Sequence, residues 1–153
     1  MQLTTKGRFA VTAMVDLAMH GGSRPINMAA ISTRQKISLS YLEQLFCRLR
    51  RRQILKSVRG TGGGYYLARP ADKISIVEII VAVGEPLDAT GCGGKGNCSD
   101  GRPCLTHELW VGLNENIYDY LSAITLQQLV HDQARMASFD NGHIKVNNIK
   151  RKA

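Results

Sequence analysis

Apolar residues recur at helical spacing in three segments of the first 53 positions. The first segment, Lys6–Met19, places its apolar side chains on one face and is followed by a pair of glycines. The second, Met28–Arg34, is short, and Asn27 can cap its amino terminus. The third begins near Ser40 and runs to about Gln53. The spacing therefore predicts three consecutive helices.

The third helix has two unlike faces. Ser40 and Glu43 have the S-x-x-E spacing of a capping box at its start. One arc is apolar and must face the core; it consists of Leu42, Leu45, Phe46 and Leu49. The remaining arc is polar and strongly basic; it consists of Glu43, Gln44, Cys47, Arg48, Arg50, Arg51 and Arg52. This basic arc is expected to face outward.

Strand-type sequence follows the third helix. Ile54–Val58 predicts a strand, Arg59–Gly64 a tight turn with four glycines, and Tyr65–Ala68 the returning strand. Pro70 closes the unit. Three helices and a hairpin are the element order of a winged helix-turn-helix. The fold is therefore predicted to be mainly α with a small β wing, and residues 1–70 to form a DNA-binding domain.

The second half of the chain alternates between helix and loop. Ser75 and Glu78 form a second capping box, which opens a helix through about Val83. Residues 88–103 lack periodicity and contain five glycines, and a loop of this length is expected to have a function that orders it. Helical spacing returns at Thr106, and Thr125 with Gln128 suggests one more short helix. From about residue 136 the periodicity is lost, which predicts a flexible tail over residues 136–153.

The helix that begins at Thr106 carries an apolar stripe. Its members are Trp110, Leu113, Ile117, Tyr120 and Ile124, at three- and four-residue steps. Such a stripe suits a partner helix, so residues 71–135 are predicted to combine a metal-binding loop with a long dimerisation helix of a homodimer. The alternative is a helix that packs in the core of its own chain.

Charge is concentrated in the first half. The chain has 153 residues and a net charge of +8. Residues 1–69 carry 12 Lys and Arg against two acidic residues, Asp16 and Glu43, whereas the rest of the chain is slightly acidic. A basic half favours an anionic partner such as nucleic acid, although a solvated basic face would look the same.

No secretory signal or bilayer-length apolar run occurs, so a cytoplasmic location with reduced thiols is expected and a membrane role is not.

The basic arc and the wing supply the candidate DNA contacts. A helix in the major groove reads base edges with its outer side chains, here Tyr41, Gln44, Arg48, Arg51 and Arg52. Arg59, beside the glycines of the wing, could enter a narrow minor groove. Glu43 has two competing roles, as a cap and as a cytosine-selective filter that repels phosphate.

The glycine run lacks the Gly-Lys-Ser/Thr ending of a phosphate-binding enzyme loop, and no catalytic base stands beside a nucleophile, so an enzyme is not expected.

Three cysteines and one histidine form a candidate metal site. Cys92, Cys98, Cys104 and His107 are separated by five, five and two residues. Three thiolates and an imidazole suit either zinc or an iron–sulfur cluster, and the spacing alone leaves both open. Cys47 lies on the third helix, outside this set, as a bystander or as a redox-sensitive thiol near DNA.

Taken together, these segments closely resemble the IscR family of bacterial iron–sulfur cluster assembly regulators. The resemblance covers about residues 1–135 and is strongest in residues 3–14, Ile37–Leu49, Val58–Tyr65 and Cys104–His107. It departs at Cys47, where serine is expected, and in the tail.

The resemblance implies a function and a set of residues. It implies a homodimer with a [2Fe-2S] cluster, donated by the assembly machinery, on Cys92, Cys98, Cys104 and His107. It implies repression of cluster-biogenesis genes by the loaded protein and regulation of a second class of sites without the cluster. The implied DNA-reading positions are Ser40, Glu43, Gln44 and Arg59, of which Glu43 discriminates between the two classes of site.

Overall fold

The computed structural model describes residues 3–151, with side chains described for residues 3–139. It is mainly helical, with one antiparallel hairpin, as predicted. The elements follow in the order α1 Thr5–Gly21, α2 Met28–Gln35, α3 Leu39–Arg51, β1 Leu55–Val58, β2 Gly64–Leu67, a short 3-10 turn Ala71–Lys73, α4 Ile76–Ala82, α5 His107–Ala123 and α6 Leu126–Arg151. The predicted helices and strands are therefore confirmed, apart from the start of α3 and the extent of α6.

One apolar core joins the two halves of the chain. The arc predicted to face inward on α3 is fully buried, and Phe46 lies at its centre. Residues of α1, α4 and the start of α6, such as Met14, Ile79 and Leu126, belong to the same cluster. Because α1 contacts α2, α3, α4 and α6, the second half of the chain packs directly against the helix-turn-helix.

The predicted capping box at the start of α3 is wrong. The cap is Ser38, whose hydroxyl accepts a hydrogen bond from the Tyr41 N–H at 3.3 Å. Ile37 precedes this cap and Leu42 lies in the first turn, and both are buried, as in a hydrophobic staple that fixes the entry of the helix. Ser40 therefore lies inside the helix, and Glu43 is free of any capping role. The second predicted box, Ser75 with Glu78, is confirmed.

The wing is held close to the amino-terminal helices. β1 pairs with β2 from Leu55 opposite Leu67 to Val58 opposite Gly64. Tyr65 also forms a bridge to Ile26, which extends the hairpin by one short segment. A Cβ at Gly64 would lie 2.4 Å from the Ile26 carbonyl oxygen, so only glycine allows this approach.

The last helix is longer than the short helix that the sequence predicts, and the predicted flexibility of residues 136–153 stays a prediction. α6 begins after Thr125, as expected, but continues to Arg151, and residues 152–153 lie outside the described residues. Its sequence has no proline or glycine before Gly142 and is rich in good helix formers. The loss of apolar periodicity from about residue 136 therefore does not mark the end of helical structure.

Candidate nucleic-acid interface and metal centre

The outward arc of α3 places most of the predicted DNA contacts together. Ser40, Glu43, Gln44 and Arg51 are exposed side chains of this helix. Tyr41 is half-buried at the edge of the arc, where its ring meets Phe9 of α1 edge-on, with ring centroids 6.0 Å apart. The arc is therefore a polar surface with one aromatic border.

Arg48 differs from the other arginines of the arc. Its guanidinium donates a hydrogen bond of 2.8 Å to the backbone carbonyl oxygen of Val83, at the end of α4. Arg50 points the other way and donates to the Ser57 hydroxyl of β1 at 3.3 Å. Arg51 follows Arg50 directly, and all three side chains are exposed. Arg48 and Arg50 therefore differ in their hydrogen-bond partners rather than in exposure.

Glu43 and Arg59 border the same cleft between α3 and the wing. This cleft has a volume of about 480 Å³, and Arg50 and Val58 also line it. Arg59 stands at the turn of the wing, where Gly60 and Gly62 adopt left-handed backbone conformations. A carboxylate and two guanidiniums around one open cleft can select among base edges and repel misplaced phosphates.

The loop between α4 and α5 brings three of the four predicted ligands together. The ligand atoms of Cys92, Cys98 and His107 all lie within 4.8 Å of one another. Nδ1 of His107 is 3.7 Å from the Cys92 Sγ and 3.6 Å from the Cys98 Sγ. His107 is buried and forms the first turn of α5, so one rigid element fixes the position of the imidazole.

Cys104 lies beside this group but outside it. Its backbone N–H donates to the Cys98 Sγ at 3.1 Å, and its own Sγ is 3.8 Å from the Thr106 hydroxyl. Cys47 lies on α3, half-buried, and belongs to another region of the chain. The donor set around His107 is therefore three converging ligands with a fourth thiol adjacent.

Hydrogen bonds shift the pKa values of the three thiols in different directions. The Thr90 hydroxyl, with the backbone N–H groups of Gly96 and Gly94, lowers the pKa of Cys92 to about 6. The Cys98 thiol and the hydrogen bonds of Thr106 lower the pKa of Cys104. The N–H of Cys104 acts to lower the pKa of Cys98, but the neighbouring thiols and burial outweigh it, so that the pKa of Cys98 is raised. A thiolate at Cys92 at neutral pH suits metal ligation.

Residues that the sequence did not single out hold this loop. The Asp88 carboxylate accepts hydrogen bonds from the Thr90 N–H, the Thr90 hydroxyl and the Asn114 side chain of α5, at 2.6–2.9 Å. These donors, with the Thr90 hydroxyl first, lower the pKa of Asp88 to about 2. Asn114 also accepts from the Ala89 N–H at 2.7 Å. An Asp-x-Thr turn signal was present in the sequence, but its partner Asn114 lies 26 residues away.

The donor chemistry of the loop fits a metal group. Thiolates and a neutral imidazole are ligands of both zinc and iron–sulfur clusters. Gly96 lies beside the ligands and has no side chain. Its φ is left-handed at 67°, and a Cβ there would lie 3.7 Å from His107 Nε2. The residues present are therefore compatible with a bound metal group.

The helix that follows the loop keeps its apolar stripe exposed. Trp110 and Leu113 are 37% and 38% exposed, and Tyr120 is 68% exposed. Ile124, which was assigned to the same stripe, instead ends the helix, packs against the core and accepts a hydrogen bond from the Ile76 N–H. The predicted stripe is thus exposed at Trp110, Leu113 and Tyr120, half-buried at Ile117 and packed against the core at Ile124.

Helix α3, the recognition helix, has a basic outer face and stands beside a glycine-tipped wing. This arrangement defines a winged helix-turn-helix transcription regulator rather than an enzyme. A family model described as "Rrf2: Iron-dependent Transcriptional regulator" matches residues 3–132. The chain belongs to this Rrf2 family.

Known relatives agree with this assignment. An HTH-type transcriptional regulator of Neisseria meningitidis is 55% identical over 94% of this chain and all of its own length. IscR of Erwinia tasmaniensis is 56% identical over 87% of this chain and 81% of its own. The solved structure of T. potens IscR has 35% identity and a TM-score of 0.72, over 87% of this chain and 88% of its own. The resemblance to IscR regulators is therefore confirmed.

Among the described residues, no helix combines the length and apolar character that crossing a bilayer requires.

Proposed function

We propose that this chain is a cytoplasmic, dimeric transcription regulator that senses an iron–sulfur cluster. Residues 1–70 read promoter DNA, and residues 71–135 hold a [2Fe-2S] cluster, received from the assembly machinery, and form the dimer. The loaded protein represses cluster-biogenesis genes, and the protein without cluster also regulates a second class of sites, by repression or activation. One observation supports this proposal most: Cys92, Cys98 and His107 converge within 4.8 Å, with Cys104 adjacent.

The proposed ligands are Cys92, Cys98, Cys104 and His107. A bound cluster would supply a signal, because oxidation or iron shortage can remove it. His107 holds the ligand set at the first turn of α5, where the positive end of the helix favours thiolate charge. An imidazole in place of a fourth thiolate removes one negative charge from the ligand set. Such a ligand set should hold the group less firmly than four cysteines.

The proposed reading surface consists of the α3 arc and the wing. Gln44 and Arg51 can donate to base edges or phosphates in the major groove, with Ser40 and Tyr41 beside them. Arg59 can enter the minor groove at the wing. Because Glu43 is released from capping, its carboxylate can act as the specificity filter.

The exposed stripe of α5 is the proposed dimer contact. Leu109, Trp110, Leu113 and Tyr120 leave a large apolar surface on a helix that begins at the metal loop. A second copy with the same stripe would bury it in a symmetric pair. Light scattering should give twice the chain mass, and Leu113→Glu should shift the protein to a monomer.

Anaerobic purification tests the cofactor directly. The expected result is a coloured protein with visible absorption, and with iron and acid-labile sulfide at two of each per chain. The cluster-loaded and cluster-free forms should then select different sequences from a random DNA library. A colourless protein with one zinc per chain would replace this proposal by a zinc-stabilised winged-helix repressor, because three ligands and a nearby thiol also suit tetrahedral zinc.

A further inference from the structure

The end of α4 is a rigid turn on which several elements converge. Gly84 follows the helix with a left-handed φ of 75°. The Gly84 N–H donates to the Val81 carbonyl at 2.9 Å and the Glu85 N–H to the Ile80 carbonyl at 3.3 Å. This pair of bonds is the Schellman pattern that terminates a helix in one defined conformation. We name residues 83–85 the α4 junction.

The junction holds the first helix through Glu85. The Glu85 side chain is 3% exposed, and its carboxylate accepts hydrogen bonds from the backbone N–H and hydroxyl of Thr4 and, at 2.9 Å, from the N–H of Gly7. The Lys6 ammonium donates to the Gly84 carbonyl at 2.9 Å. A buried carboxylate at the start of a helix also meets its positive end. The amino terminus of α1 is therefore fixed to the junction.

The same junction holds the recognition helix through Arg48. Its guanidinium bonds to the Val83 carbonyl, and a Cβ at position 84 would lie 3.0 Å from its Nη1. Gly84 therefore serves both the left-handed turn and the close approach of the guanidinium. A cation at the carboxyl end of α4 also meets the negative end of that helix. The hydrogen bond to Val83 engages an N–H group of Arg48 that could otherwise donate to a base edge or a phosphate.

The chain leads from the junction directly into the metal-binding loop. Leu87, two residues after Glu85, packs against the core. Asp88 and Ala89 are then fixed to Asn114 of α5, and Thr90 bonds to both Asp88 and the Gly94 N–H within the loop. From Val83 to Thr90, most residues are thus anchored by a named contact. Movement of this segment would displace the carbonyl to which Arg48 is bonded.

We propose that Arg48 is a positioning residue rather than a DNA contact: it fixes the recognition helix to the α4 junction and thereby ties the orientation of that helix to the segment that enters the metal loop. This inference goes beyond the proposed function and does not depend on which metal group the loop binds.

Amide hydrogen exchange of the protein without DNA or metal tests the role. Arg48→Met keeps the apolar stem and removes the guanidinium. Exchange should accelerate about tenfold in the last turn of α3 and over residues 83–90, because a charge-assisted hydrogen bond that fixes both is lost. Arg48→Lys should restore most of the protection. Arg51→Met, at an exposed neighbour on the same helix, should leave exchange unchanged.

Salt dependence of DNA binding gives the second readout. For metal-free Arg48→Met on duplex DNA, the slope of log affinity against log salt should equal that of the wild type, whereas loss of a phosphate contact would reduce it by about one. A reduced slope would overturn the proposal, as would unchanged exchange. Faster exchange confined to α3 would overturn the link to residues 83–90. Absence of a cluster from the purified protein would instead contradict the proposed function and leave these results intact.

Discussion

The DNA-binding domain and the metal-binding loop are stabilised by different kinds of interaction. Residues 3–70 form regular elements around a buried apolar cluster centred on Phe46. Residues 88–106 contain no helix or strand and are held by hydrogen bonds around Asp88 and by glycines that accept left-handed conformations. The apolar cluster is fully packed within the chain, whereas the polar loop carries three thiols that can take a ligand. The two regions therefore differ in what stabilises them, a packed core in one and hydrogen bonds between polar groups in the other.

The largest expected effect separates the two regions by metal content. Cys98→Ala removes one of the three converging donors and should abolish metal loading, because the remaining ligands no longer complete the site. Iron, sulfide and zinc analysis measures it. Cys47→Ala, a cysteine on the recognition helix, should retain full loading. Equal loss of metal in both variants would mean that the ligand set includes α3.

The second effect concerns the core. Phe46→Ala should lower the free energy of unfolding by about 3–5 kcal/mol, because it leaves a cavity among fully buried neighbours. Leu105→Ala removes an apolar side chain that is fully exposed in the metal loop and should change stability by less than about 0.5 kcal/mol. Chemical denaturation of the metal-free protein measures both. A large loss in the loop variant would contradict the division between the regions.

The third effect concerns the wing. Arg59→Ala should weaken binding to a selected operator by about 1–3 kcal/mol at fixed salt, since a guanidinium in the minor groove is lost, and should leave the melting temperature unchanged. Arg135→Ala removes the same charge from the exposed face of α6 and should alter affinity much less. Fluorescence anisotropy with a labelled duplex provides the dissociation constants. Equal affinity of the Arg59 variant and the wild type would remove the wing from the reading surface.

The last effect is on acid stability and concerns Glu85, which lies between the two regions. Burial alone would raise the pKa of Glu85, but the Thr4 hydroxyl and the N–H groups of Gly7 and Thr4 hold it below its ordinary value. A carboxyl with a depressed folded pKa contributes stability above its unfolded pKa and loses that contribution as the pH falls through the folded one. Glu85→Gln should therefore cost about 1–3 kcal/mol at pH 7.

The pH profile is the decisive part of this measurement. The difference in unfolding free energy between wild type and Glu85→Gln should shrink below about pH 4.5, as the wild-type carboxyl protonates. Glu115→Gln, on the exposed surface of α5, should differ little from wild type at any pH. A difference that stays constant from pH 7 to pH 3 would show that the pKa of Glu85 is the same in the folded and unfolded protein, and would contradict the lowered pKa.

Much of the fold followed from local pattern, and the exceptions have local causes. The apolar arc of α3, the hairpin and the Ser75 cap were predicted because each depends on residues within one turn or one strand pair. The start of α3 was misplaced by two residues, since two serines offer the same cap and buried Ile37 decides between them. The length of α6 was underestimated because helical residues whose side chains are exposed, as over residues 133–139, need no apolar periodicity.

The sequence by itself determined the amphipathic helices, the charge of the DNA-binding domain and the identity of four candidate ligands. Side-chain chemistry and spacing are local properties, and they suffice for such conclusions. The tertiary structure decided which ligands meet, that Glu43 is free, and that Arg48 turns toward Val83 while Glu85 holds Thr4, 81 residues away. Those polar pairings depend on how the helices pack, because hydrogen bonds require a partner within about 3 Å and no sequence pattern records which distant residue supplies it.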